Sequence, residues 1–101
     1  MDTTKYKVLE VIIKNRYKSF EDIQVALITE FPEMSWEEIC SYLYLLKQDG
    51  YINVLNGDNT ILALRVQPTA LARLSELKET TKDNQVKEII TRILQVARVL
   101  L

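Results

Sequence analysis

Apolar residues recur every three or four positions along most of the chain, and this spacing predicts a mainly helical protein. The first such stretch spans residues 4–17 and places five apolar side chains on one broad face. These side chains are Tyr6, Val8, Leu9, Ile12 and Ile13. Thr3 or Thr4 can cap this first helix.

Two more helix starts are indicated by a serine that is followed three residues later by an acid. Ser19 precedes Asp22, and Ser35 precedes Glu38. In each pair the serine oxygen can accept from the backbone N–H of the acid, while the acid can answer by accepting from the serine N–H. Gly50 is placed to end the third helix in the left-handed conformation. The second and third helices together predict a helix-turn-helix pair.

A change of period follows the third helix and predicts a β-hairpin. In residues 51–55, Ile52 and Val54 alternate with the polar Asn53, and residues 60–66 are rich in β-branched and aliphatic side chains. The turn between them is Asn56-Gly57-Asp58-Asn59, whose Asn and Gly tolerate a positive φ. After Thr69, three leucines at helical spacing predict a fourth helix with Leu71, Leu74 and Leu77 inward.

The last helix, from about 85 to 101, has the clearest apolar stripe. It consists of Val86, Ile89, Ile90, Ile93, Val96, Ala97 and Leu100. Leu94 and Leu101 widen the stripe, which exceeds what a small helical domain needs for its own core. We therefore expect a homodimer through residues 85–101. The alternative is that the stripe packs against the chain's own first helix, and the two arrangements can coexist.

This order of elements resembles the winged-helix family. The most specific stretch runs from Ile39 to Ile52, with Leu43, Leu46 and then Asp49-Gly50-Tyr51-Ile52 where the third helix passes into the hairpin. A second similar stretch covers residues 60–71. The resemblance implies a mainly α fold with a small β-hairpin, the wing. It places a winged-helix domain at residues 1–80 and a dimerising C-terminal helix at 81–101.

The resemblance also implies a function, namely that of a small dimeric transcriptional regulator that binds duplex DNA in the cytoplasm. In this family the third helix commonly enters the major groove and the wing touches the backbone or minor groove. The outward positions of residues 36–48 would then be Glu37, Glu38, Ser41, Tyr44, Leu45 and Gln48, with Lys47 nearer the buried side. The expected DNA contacts are Lys14, Lys18, Ser41, Tyr44, Gln48 and Arg65. Arg65 can equally be an ordinary exposed strand residue.

The distribution of charge opposes this DNA hypothesis. The chain has 13 basic and 14 acidic residues, yet residues 19–38 contain six acids and no base. Affinity for duplex DNA comes largely from neutralising phosphates. The acids have an ordinary explanation as first-turn and capping residues. They can also form the rim of a docking face, so the second hypothesis is a winged-helix interaction module.

Two exposed-face residues, Tyr44 and Leu45, are unusual for a DNA-reading helix. Three explanations are open: the C-terminal helices cover this pair, the pair binds a protein partner, or the pair contacts bases. Trp36 is expected to be a core anchor, with a ligand platform as the alternative. Cys40 lies at the margin of the buried stripe and is expected to be a small hydrophobe.

Composition argues against catalysis and predicts neither catalytic residues nor a metal or cofactor. The chain has no His, one Cys and two isolated glycines. It therefore lacks the usual general base near neutral pH, a multi-thiolate site and a glycine-rich phosphate loop. We expect an intracellular protein, because a lone thiol without a secretory signal is typical of that compartment. We expect no membrane span, because the apolar runs are short.

Overall fold

A computed structural model describes residues 3–99, which form a helical domain with one antiparallel hairpin. The elements are α1 (Thr4–Lys14), α2 (Phe20–Glu30), α3 (Trp36–Gln48), β1 (Ile52–Gly57), β2 (Thr60–Val66), α4 (Ala70–Thr80) and α5 (Asn84–Val99). This order confirms the predicted fold class and is consistent with a winged-helix topology. Within the described range, no helix is both long and apolar enough to cross a membrane.

Serine caps begin α2 and α3, as the sequence predicts. The Ser19 hydroxyl accepts from the Asp22 N–H at 3.2 Å. The Ser35 hydroxyl accepts from the Glu38 N–H at 3.1 Å, and the Glu38 carboxylate accepts from the Ser35 N–H at 3.3 Å. Only the second pair is a full capping box, since the Asp22 side chain is one methylene shorter than that of Glu38.

We expect Ser35→Ala to lower the free energy of unfolding by about 1 kcal/mol, because it leaves an orphan N–H at the start of α3. Urea unfolding followed by circular dichroism measures the change. Ser75→Ala is the matched control: Ser75 is exposed within α4, and the exchange should be neutral or slightly stabilising. Equal losses at the two positions would contradict the capping argument.

The first helix ends three residues earlier than its apolar pattern predicts, at Lys14 rather than residue 17. The Asn15 side chain donates to the Val11 carbonyl at 2.8 Å, and the Arg16 guanidinium donates to the Ile13 carbonyl at 2.8 Å. The Asn15 and Arg16 N–H groups also donate to the Val11 and Ile13 carbonyls, at 3.2 and 3.4 Å, so backbone and side chains together satisfy these last carbonyls of α1. The predicted buried face of this helix is confirmed.

Helix α5 packs against α1 of the same chain, and this contact fills much of the core. Five residues of the predicted dimer stripe are buried there: Val86, Ile89, Ile90, Ile93 and Ala97. Val96 is half-buried, whereas Leu100 and Leu101 lie outside the described residues. The Arg92 guanidinium also donates to the Glu10 carboxylate of α1 at 3.1 and 3.2 Å.

The expectation that this stripe needs a second chain for its burial is therefore wrong. The amphipathic pattern shows that an apolar surface must cover α5, and α1 supplies that surface. Residues 84–97 belong to the same core as the preceding helices rather than to a separate extension. Association of two chains through α5 stays a prediction, since Leu94 and Val96 are only half-buried and the end of the stripe lies outside the described residues.

The hairpin is longer than predicted and contains a bulge. Asn56 and Gly57 remain paired, so the turn is the two residues Asp58 and Asn59, of which Asn59 has a φ of 59°. Of the turn residues expected to tolerate a positive φ, Asn59 adopts it and Gly57 does not. The register shifts between Leu55 and Asn56, which leaves Leu62 as the extra residue of β2. A bulge of this kind bends a strand and increases its twist.

Gly50 ends α3 as the sequence predicts. Its φ is +82°, the left-handed region in which side chains are strained. The Gly50 N–H donates to the Lys47 carbonyl and the Tyr51 N–H to the Leu46 carbonyl, both at 3.0 Å. These two bonds form a Schellman motif, which directs the chain from α3 into β1.

Candidate functional site

A groove of about 420 Å³ lies where α2, α3 and the hairpin meet. Its lining combines aromatic, aliphatic and amide side chains. The lining residues are Phe20, Gln24, Trp36, Cys40, Leu43, Tyr44, Lys47, Val54, Asn56, Gly57, Asn59, Thr60 and Ile61. We call this feature the α3–hairpin groove.

Aromatic rings from the starts of two helices form one end of the groove. Phe20 and Trp36 are the first residues of α2 and α3, and their ring centroids lie 6.1 Å apart in an edge-to-face arrangement. Such pairs are favourable beyond the area they bury. Trp36 is half-buried against the core and also lines the groove. The prediction of a core anchor is therefore only partly right, because one side of the indole remains accessible.

The outward face of α3 is uncovered, as its helical spacing predicts. The six predicted outward residues, from Glu37 to Gln48, are all exposed. Tyr44 is 62% exposed and Leu45 is 45% exposed. The alternative in which the C-terminal helices cover this pair is wrong, because α5 packs on α1 instead.

Lys47 departs from its predicted position near the buried side. It is exposed and lines the groove, with its ammonium 5.8 Å from the centre of the Tyr44 ring. That distance is within the range of a cation–π contact. It is the one cation among the described residues that line the groove.

Four carboxylates lie near the Phe20–Trp36 end of the groove, although none of them is among its lining residues. They follow these two aromatic residues directly in sequence, in the first turns of α2 and α3. They are Glu21, Asp22, Glu37 and Glu38. All four are exposed, and none forms an ion pair with another residue of the described range. We call these four residues the acidic rim.

Cys40 is half-buried in the groove wall. Burial raises the pKa of its thiol, and the nearby Glu37 carboxylate raises that pKa further. The thiol is therefore protonated near neutral pH, whereas a nucleophilic cysteine needs a depressed pKa. Between residues 3 and 99, no group of three or more Cys, Asp or Glu is placed to hold a metal ion.

The structure does not bring all six expected DNA contacts together. Ser41, Tyr44 and Gln48 share the exposed face of α3, and Arg65 is exposed on β2 opposite Asn53. The Lys14 ammonium lies 4.0 Å from the Glu10 carboxylate. Because Glu10 is held by α5, Lys14 belongs to the α1–α5 side of the molecule.

Lys18, the remaining expected contact, is exposed between α1 and α2. Sequence reasoning missed five other residues that line the groove: Phe20, Gln24, Lys47, Val54 and Ile61. The sequence does contain a signal for Phe20 as a groove residue, because Phe20, like Trp36, is the first residue of a helix with a serine cap. Val54 and Ile61 have no such signal in the sequence, since their place in the groove depends on how the hairpin packs against α2 and α3.

Comparison with known proteins gives no family for this chain. No protein-family model matches it, and no match was found among curated proteins or solved structures. The function is therefore argued from the groove, its exposed residues and their charges.

Proposed function

We propose that this chain is a winged-helix interaction module that holds a protein partner at the α3–hairpin groove. One observation carries the proposal: the outward face of α3 presents Tyr44 and Leu45 beside an apolar, aromatic-lined groove. In a helix that reads DNA these positions are normally polar, because base edges and phosphates are recognised through hydrogen bonds and charge.

The residue types on this face support protein binding. Tyrosine and tryptophan are enriched in the buried centres of protein interfaces, where a large ring excludes water and a polar tip finds a partner. Trp36 and Tyr44 both line the groove, and both retain accessible surface. Leu55 and Leu62 of the bulged hairpin are also exposed, outside the groove lining.

Charge on the same face disfavours duplex DNA. Two residues of the acidic rim, Glu37 and Glu38, lie at the start of α3, the end that enters the major groove in helix-turn-helix complexes. Each phosphate contact requires a cation to replace the released counterions. Lys47 is the one cation that the groove lining offers among the described residues. Asp58 adds a further acid at the hairpin turn.

DNA binding by a dimeric regulator is the second candidate, and two observations favour it. The element order is consistent with a winged-helix topology, and Ser41, Gln48 and Arg65 are exposed. In this case we expect a shallow salt dependence, on the order of 2 to 4 phosphates per chain. Glu37→Gln combined with Glu38→Gln would then strengthen binding by about 1 kcal/mol at low salt.

The test replaces Tyr44 and Leu45 together by Ser. We expect partner proteins captured from a cell extract by the native chain to bind the variant at least about ten-fold more weakly, since such aromatic anchors contribute about 2 kcal/mol or more. Quantitative mass spectrometry of the captured proteins measures the loss. Val25→Ser is the matched control, because Val25 is 62% exposed but lies outside the groove lining.

Fluorescence anisotropy with a random-sequence duplex, titrated at several salt concentrations, provides the second measurement. The proposal predicts no binding at physiological ionic strength. If the duplex binds and the Glu37→Gln/Glu38→Gln variant binds it more tightly, the DNA-binding candidate replaces the proposal. An unchanged set of captured proteins with the Tyr44/Leu45 variant would also overturn it.

A further inference from the structure

We infer that the groove accepts a basic segment of a partner protein, in which a large apolar or aromatic side chain stands next to Lys or Arg. This inference rests on the proposed function and adds the chemical class of the partner. It depends on three properties of the groove, namely its size, its lining and the asymmetric placement of charge around it.

The size of the groove fits a short segment. Its volume of about 420 Å³ is near the lower end of the range for ligand sites, roughly 300–1,000 Å³. A space of this size holds one or two large side chains. The partner therefore inserts an anchor residue from a strand, loop or helix, and the rest of its surface lies against Tyr44 and Leu45.

The lining favours a partner segment that inserts an apolar side chain and forms hydrogen bonds through its own backbone. Phe20, Trp36 and Leu43 provide aromatic and aliphatic surface on the helical side. The hairpin side adds Asn56 and Asn59, whose amide groups both donate and accept hydrogen bonds. An extended peptide offers alternating side chains and free backbone groups, which match these two walls.

The charges around the groove determine the orientation of the bound segment and require the segment to be basic. Trp36, beside the acidic rim, and Lys47 are eleven residues apart on α3, which corresponds to about 16 Å along the helix axis. The groove is thus negative at one end and carries a cation at the other. Lys or Arg side chains of the partner would lie at the Phe20–Trp36 end, where four exposed carboxylates lack a described ionic partner.

The same arrangement selects against other occupants. An acidic peptide meets the acidic rim, and its repulsion increases as salt is lowered. A second copy of this chain is the strongest competitor, because it presents the exposed Tyr17 between Arg16 and Lys18. We commit to a different protein, because the Arg16 guanidinium is already engaged by the Ile13 carbonyl and stacked over the Tyr17 ring at 4.8 Å.

The experiment selects random twelve-residue peptides, displayed on phage, on the immobilised full chain. We expect enriched peptides to contain Trp, Phe, Tyr or Leu within three residues of at least two Lys or Arg. Synthetic copies of the best sequences are then titrated by fluorescence anisotropy. Cys40→Phe, which fills the groove, should reduce their affinity at least ten-fold, whereas Val25→Phe, an enlargement at an exposed position outside the groove lining, should change it less than two-fold.

Two double variants with equal loss of charge test the acidic rim. Glu21→Gln/Glu37→Gln removes two rim carboxylates, and we expect about ten-fold weaker peptide binding at low salt. Glu30→Gln/Glu33→Gln removes two acids at and just beyond the end of α2 that is opposite to Phe20, and it should cost less than two-fold. Equal effects of the two pairs would overturn the inference, because binding would then respond to net charge alone.

The remaining outcomes separate this inference from the proposed function. Peptides enriched for apolar anchors without Lys or Arg would overturn the inference and leave the proposed function standing. If no enriched peptide loses affinity for the Cys40→Phe variant, both the inference and the proposed function are overturned. Self-association in sedimentation that Tyr17→Ser abolishes, without an enriched peptide, would place a second copy in the groove and also overturn the inference.

Discussion

Ile93→Asp is expected to unfold the chain rather than to separate two subunits. The Ile93 side chain is fully buried between α5 and the rest of the core. The substitution removes this apolar burial and places a carboxylate within the apolar core, at a cost of about 5 kcal/mol or more. A chain of 101 residues has a total unfolding free energy of about 5–15 kcal/mol, so little or no stability would remain.

Circular dichroism and sedimentation together test this prediction. We expect the variant to lose helical signal at 25 °C or to melt far below the native chain. Gln95→Asp is the matched control, because Gln95 lies on the exposed side of the same helix. A variant that keeps the native melting curve and merely changes from dimer to monomer would show that the stripe faces a second chain, contrary to the observed packing on α1.

Gly50→Val is expected to have the second largest effect, about 2–3 kcal/mol of lost stability. At a φ of +82°, a β-branched side chain is strained. The added Cβ would also lie 2.8 Å from Nη1 of Arg73, whose guanidinium donates to the Asp49 carbonyl. The substitution therefore disturbs the Schellman motif and the link between α3 and α4 at the same point.

Urea unfolding at several protein concentrations measures this loss. Gly57→Ala is the control, because Gly57 is not left-handed. Its added Cβ would meet only the flexible, exposed Leu62 side chain, at 3.1 Å. We expect the control to change stability by less than about 1 kcal/mol. A Gly50→Val variant as stable as the control would mean that the end of α3 relaxes without cost.

Local signals in the sequence predicted the helix starts and the fold class. Ser19, Ser35 and Gly50 act on residues within five positions, so their chemistry can be read without knowing the rest of the fold. The inward stripes of the helices follow from the same periodicity. The end of α1 and the hairpin bulge were missed, because each depends on which backbone groups the side chains or the opposite strand satisfy.

The groove could not be predicted in the same way, because its walls come from distant parts of the chain. Phe20 and Trp36 meet only when α2 and α3 pack, and Val54 and Ile61 join them through the hairpin. The sequence also did not determine which surface covers the apolar stripe of α5. An apolar stripe specifies that water must be excluded, whereas the identity of the covering surface depends on tertiary geometry.

The packing of α5 on α1 also has a consequence for folding during synthesis. The Glu10–Arg92 pair joins residues 82 positions apart, so α1 leaves the ribosome well before its main neighbour α5. Until α5 emerges, the buried face of α1 has incomplete cover, and contacts of such long range slow folding. At 5–20 residues per second, this interval is roughly 4–16 seconds. Nascent chains stalled before α5 should therefore be more sensitive to protease and more dependent on chaperones than the finished chain.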